Sequence, residues 1–127
     1  MLLDLFGDLP FTPMAAHQTF RGVTSVITLP RPTATKVLIV SMNGAGFRFT
    51  IDGTTPLAAS VPGGALGFPV PLDELSVGLA SQKSKLMQSP AIILNIGAGA
   101  VVKLCQLDAN PVALFGGAVD LDIQWGV

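Results

Sequence analysis

The sequence predicts an all-β chain, an antiparallel β-sandwich or jelly-roll-like barrel with an extended N-terminal arm. Two segments alternate strictly between apolar and polar residues, the period of a strand with one buried face. In "GFRFTID", Phe47, Phe49 and Ile51 share one face and Arg48, Thr50 and Asp52 the other. In "AVDLDIQWGV", Val119, Leu121, Ile123 and Trp125 point inward, and Asp120, Asp122 and Gln124 outward. Other runs of strand length, rich in Val, Ile and Thr, recur between Gly and Pro turns, as sandwiches and barrels require.

The chain divides into an arm, residues 1–17, and a single sandwich domain, residues 18–127. The arm, "MLLDLFGDLPFTPMAAH", holds no period, and Pro10 and Pro13 forbid a long helix. Its Leu2, Leu3, Leu5, Phe6 and Phe11 nevertheless need a dry surface. A neighbouring subunit would supply one, and so would an extra strand or short helical turn closing the chain's own sandwich. β structure is expected from "TFRGVTSVITLP" (19–30) onward, stopping at Pro30-Arg31-Pro32. "TKVLIVSM" (35–42) is apolar almost throughout and suits a strand covered on both faces. Asn43-Gly44 follows, a strong signal for a tight hairpin into "GFRFTID". Residues 53–72 carry four prolines and four glycines and predict a long loop of functional or interfacial character. "LDELSVGLA" (72–80) fits either a turn with a short strand or one short helix. Strands are expected again at 83–89, 91–97 and 99–108, with 109–117 leading to the last one.

Composition limits what such a domain can do. At 127 residues one domain with a true core is expected. Half the residues are hydrophobic and only 12% are charged, about half the usual fraction. A small domain has too much surface to hide so many apolar side chains alone. The longest apolar run, "AIILNIGAGAVV", is shorter than the roughly 20 residues of a spanning helix. The N-terminus lacks a basic n-region and carries Asp4 and Asp8, so no signal peptide or membrane partner is expected. The seven basic residues are scattered, with only Lys83 and Lys85 close together, and this argues against nucleic acid. The single cysteine, Cys105, fits synthesis in a reducing compartment. Burial against other protein chains is the remaining outlet.

Residues for chemistry are few: one His, one Cys and no Tyr. His17 has nothing near it in sequence to orient it, and Cys105 reads as a small buried hydrophobe. Asp120 and Asp122, with Asp108 across a turn, match the solvated face of a half-buried strand better than an acid–base pair or a calcium site. Asp73 and Glu74 read the same way, and no glycine pair precedes a lysine as a phosphate loop would. Neither catalysis nor any metal or other cofactor is expected. In "DGTTP", Asp52 is placed to accept from the amides of Thr54 and Thr55, Gly53 to supply unusual dihedrals, and Pro56 to end ladder pairing. The turn formed by Asp52, Gly53, Thr54, Thr55 and Pro56 is therefore read as architectural.

The stretch "VLIVSMNGAGFRFTIDGTTP" resembles small structural proteins of tailed-phage virions. Those carry a strand-hairpin-strand followed by a D-G-T-x-P turn, a glycine-bearing loop and a Leu or Phe-Pro stretch. Here these positions are Phe47 to Pro56, Gly63, Gly64 and "LGFPVPL". Leu57 departs from the threonine usual after the proline. A similar turn occurs in immunoglobulin-like modules of some glycoside hydrolases. The resemblance implies a capsid decoration or cement protein, assembled in the host cytoplasm, that stabilises a phage head. Its expected partners are the major capsid protein and its own copies, by analogy as a homotrimer, with the arm residues at the subunit interface. The alternatives are another head-neck or tail subunit, or a carbohydrate-binding, lectin-like module of a tail fibre or glycosidase. A hydrolase using Asp108, Asp120 or Asp122 is the least favoured reading.

Overall fold

The computed structural model describes residues 11–30, 34–70, 90–97 and 100–127. Among them the strands are β1 (Pro13–Val23), β2 (Ile27–Thr28), β3 (Lys36–Ser41), β4 (Phe47–Thr50), β5 (Phe68–Val70), β6 (Ala91–Asn95), β7 (Lys103–Gln106) and β8 (Val119–Gly126). They pair from the outside in: β1 with β8, β2 with β7, β3 with β6 and β4 with β5, all antiparallel. The chain is thus one long hairpin, folded at its tip between β4 and β5. It is then rolled so that β3 also meets β8 and β4 also meets β7. Two four-stranded sheets result, ordered β1-β8-β3-β6 and β2-β7-β4-β5, the double Greek key of a jelly roll. They pack as a sandwich, and the described residues form no closed barrel.

The alternating segments build the core. Val119, Leu121, Ile123 and Trp125 of β8 join Val37 and Ile39 of β3 against Phe47 and Phe49 of β4 and Leu104 of β7. Asp120, Asp122 and Gln124 face outward. On the outer side of the same sheet Leu38 and Val40 are half-buried, and their partners Ile93 and Ala91 are buried. The two-sided cover expected of "TKVLIVSM" is therefore substantial.

β1 is irregular, and β8 compensates. Between Pro13 and His17, β1 takes four steps where β8 takes two, from Gly126 to Gln124, so the strand bulges. Gln124 Nε2 donates to the carbonyls of Met14 at 2.7 Å and Ala16 at 3.1 Å within this bulge. A second irregularity lies between Phe20 and Val23. There Gly22 adopts φ +63° and donates its N–H to Asp120 Oδ1 at 2.8 Å. Ahead of β1, Thr12 and Val127 exchange both backbone hydrogen bonds, at 2.9 and 3.0 Å. The Phe11 ring lies over Gly126, where an added Cβ would stand 2.6 Å from it.

Several expectations are corrected. Residues 13–17, counted with the arm, are the first half of β1 and belong to the sandwich. Leu2, Leu3, Leu5 and Phe6 lie outside the described residues. The strand expected over 19–30 splits into β1 and β2, which sit in different sheets. Asn43-Gly44 does not close a hairpin, because β3 and β4 also belong to different sheets. The side chain of Asn43 explains this: its Oδ1 accepts from Asp120 N at 3.2 Å and its Nδ2 donates to Ala118 O at 3.0 Å. The turn is thereby fastened to β8, and the chain passes over to the second sheet. Within the expected 53–72 loop, Phe68–Val70 forms β5. The segments expected at 72–80 and 83–89 lie outside the described residues.

Gln124→Ala leaves the Met14 and Ala16 carbonyls without their side-chain donor. It is expected to cost about 1–2 kcal/mol in urea unfolding, with faster hydrogen exchange concentrated in residues 14–18. Uniform exchange across both sheets would contradict this role.

Candidate functional site

The hairpin tip between β4 and β5 folds back onto its own sheet. Asp52 Oδ1 accepts from Thr54 N at 3.0 Å, Gly53 has φ +86°, and Thr50 Oγ1 donates to Thr54 O. Gly53 N also donates to Val101 O at 3.3 Å, Thr55 is exposed and Pro56 is fully buried. The bond from Thr54 holds the Asp52 carboxyl below its ordinary range. Beyond Pro56 the segment closes on itself through backbone bonds between Leu57 and Leu66 and is tied beyond β7 by Ala59 N to Leu107 O and Ala109 N to Ala59 O. Arg48 clasps it, Nε donating to Leu107 O at 3.0 Å and Nη1 to Gly67 O at 3.2 Å. Cys105, paired with Arg48 across the β4–β7 ladder, is buried, and desolvation pushes its thiol up to about 11 despite the nearby guanidinium. Asp52, Thr50 and Arg48 thus shape the tip and hold it down.

His17, which nothing near it in sequence could orient, is oriented by a residue far along the chain. Its Nε2 contacts Asp122 Oδ1 across β1 and β8, and Arg21 Nη1 lies 3.9 Å from Asp120 Oδ2 one step further. The paired carboxylates are thus ladder fasteners between strands. A His–carboxylate pair is half of a proton-transfer device and needs a nucleophile or substrate oxygen in line with it. None of the hydrogen bonds of the described residues provides one, and both side chains are partly exposed. Among the described residues no group of three or more His, Cys, Asp or Glu is arranged to hold a metal ion.

The feature that sequence reasoning passed over is the connection from β7 to β8. "ANPVALFGGA" reads as a connector, yet it is a closed, hydrogen-bonded loop. Asp108 Oδ1 accepts from Asn110 N at 2.9 Å, and Asn110 Oδ1 from Val112 N at 3.1 Å. Ala113 N donates to Asn110 O, Gly116 N to Ala113 O and Gly117 N to Asp108 O, all within 3.1 Å. Phe115 sits at φ +61°, a left-handed backbone uncommon outside glycine, and its carbonyl accepts from Gly46 N at 2.8 Å. The bond from Asn110, with a further one from Ser60, lowers the Asp108 carboxyl from its ordinary range. On this fixed frame Val112 is 87% and Leu114 80% exposed. The signal in the sequence was an uncharged, apolar stretch too long for a simple turn.

A second apolar group lies at the other end of the sandwich. Phe68 stacks at 5.3 Å on Phe49 and remains 56% exposed. Ile51 and Val101 are exposed, with Val101 N bonded to Ile51 O, and Leu66 is exposed where it pairs with Leu57. Both groups are exposed among the described residues.

The chain matches no known protein-family description, no curated protein and no solved structure.

Two outcomes are expected. Iodoacetamide should alkylate native Cys105 about a hundredfold more slowly near neutral pH than the same thiol in urea; equal rates would mean the thiol is open. The depressed carboxyl of Asp52 contributes stability above its unfolded value of about 4, lost as pH falls through the lower folded value. Asp52→Asn should therefore flatten the fall of the thermal midpoint on acidification, and an unchanged acid limb would remove Asp52 as a contributor.

Proposed function

We propose that this chain is a non-enzymatic structural subunit of a virion, an oligomeric decoration or cement protein on a phage head. Its partners in this reading are its own copies, as a trimer, and the major capsid protein. The observation that carries it is the loop of residues 108–118. An ordered loop that holds Val112 and Leu114 almost fully in water loses hydrophobic stabilisation until a partner covers it. Low overall charge and the apolar residues of 1–10 point the same way. The jelly roll itself serves viral capsid and lectin domains alike, so it does not choose between them.

A lectin-like role is less well supported. Sugar platforms use exposed aromatic rings with polar neighbours. Trp125 is 2% exposed, there is no Tyr, and the exposed ring of Phe68 has apolar neighbours. A hydrolase is less supported still, since Asp120 and Asp122 are engaged in fastening β1.

Light scattering at several concentrations should give one concentration-independent mass, that of a trimer of the 13.1 kDa chain. A monomer at every concentration would overturn the proposal.

A further inference from the structure

We infer that Asn43-Gly44 is a site of spontaneous deamidation that the fold keeps closed, so that a chain whose crossover turn has left β8 is marked irreversibly. Of the three asparagines in the chain, only Asn43 is followed by glycine. The Gly44 amide nitrogen has no side chain beside it and can reach the Asn43 side-chain carbon. Asn95 precedes the branched Ile96, and Asn110 precedes Pro111, which has no N–H to give. In the reaction Gly44 N loses its proton and bonds to Asn43 Cγ while the Cγ–Nδ2 bond breaks. The side-chain nitrogen leaves with that proton as ammonia, and water opens the resulting cyclic imide at either carbonyl. One opening leaves an aspartyl side chain. The other reroutes the backbone through the former side chain and lengthens it by a methylene.

Hydrogen bonds, and not burial, hold the site closed. Asn43 is exposed, and among the described residues only chain neighbours stand within 4 Å of a Cβ placed on Gly44. Water therefore reaches the site. The amide is pinned at both ends. Its Oδ1 accepts from Ser41 Oγ and Ala45 N at 3.3 Å and from Asp120 N at 3.2 Å, and its Nδ2 donates to Ala118 O at 3.0 Å. Cyclisation swings Cγ onto Gly44 N and expels Nδ2, so these bonds must open first. Those to Ala118 and Asp120 exist only while the turn is docked at the start of β8. The product cannot dock in the same way. Ala118 O only accepts, and a carboxylate oxygen in place of Nδ2 sets two acceptors face to face. The chain is bonded down on either side, Met42 N to Asp120 O at 2.7 Å and Gly46 N to Phe115 O at 2.8 Å. An extra methylene between those bonds displaces the passage from β3 into the second sheet.

The test follows the mass of the peptide carrying Asn43, together with enzymatic methylation of iso-aspartyl carboxyls. The folded chain is compared with the chain in guanidinium chloride at the same mildly alkaline pH. The folded chain should react more than about tenfold more slowly, since several bonds must open together; equal rates overturn the inference. In guanidinium chloride, Gly44→Ala should slow the reaction severalfold by crowding the attacking nitrogen, and an unchanged rate overturns attack from Gly44 N. Chains deamidated in guanidinium chloride are then returned to buffer beside unmodified ones. The modified chains should show a lower thermal midpoint or fail to regain the near-ultraviolet signal of the buried Trp125. Recovery to the same midpoint overturns the marking. If the iso-aspartyl chains precipitate, Asn43→Asp carries the same lost donor. Its urea midpoint should fall below that of the wild type, and an equal midpoint counts against the inference.

Discussion

The pairing of β1 with β8 is the constraint on which the rest of the molecule depends. β8 stands in the interior of its sheet, and its inward residues reach from Val119 to Trp125 across the core. With β1 in place β8 has no free edge. The bulged strand is a poor partner by backbone alone, and side chains make up the difference. Gln124 reaches the Met14 and Ala16 carbonyls, Asp120 takes the Gly22 amide, and Asp122 meets His17. The polar face of the last strand is therefore a row of fasteners. The same bulges and charges make β1 a poor template for pairing with foreign strands.

Where a local rule governed, the sequence was readable. β4 and β8 bury one face each, and the period-two pattern gave their inward residues except Ile51, which lies past the end of β4 and is exposed. The bond from Thr54 to Asp52 was equally clear, because it acts within two residues, whereas the one from Gly53 to Val101 was not. Non-local contacts defeated the rest. Asn43-Gly44 has hairpin chemistry, but Asn43 spends its amide on Ala118 and Asp120, 75 and 77 positions away. β5 was hidden because Pro69 and Gly67 read as loop, although an edge strand tolerates a proline. The first half of β1 was hidden by bulges that break alternation. His17 found its partner 105 residues on. The exposed loop of 108–118 went unseen for a different reason: apolar residues in sequence suggest burial, and only a structure shows which of them stay in water.

The distribution of polar groups shows a consistent division. Inside the domain each one noted here serves the fold: Arg48 clasps the tip, Asn43 holds the turn between sheets, and Asp108 shapes its loop. Among the described residues Val112, Leu114, Phe68, Ile51 and Val101 stay exposed at the surface. Among the described residues these polar side chains hold strands, turns and loops in place.

First-with-last pairing also governs how the protein can be made. β3, the apolar "KVLIVS", has β8 as one of its two neighbours, and β8 is translated last of the strands. At about 5–20 residues per second, roughly 4–17 seconds separate the synthesis of the two. Throughout that interval β3 lacks one neighbour and β1 lacks its only one. The jelly roll therefore cannot close until β8 has been made. A cell making many copies must shield a sticky, incomplete sheet until then.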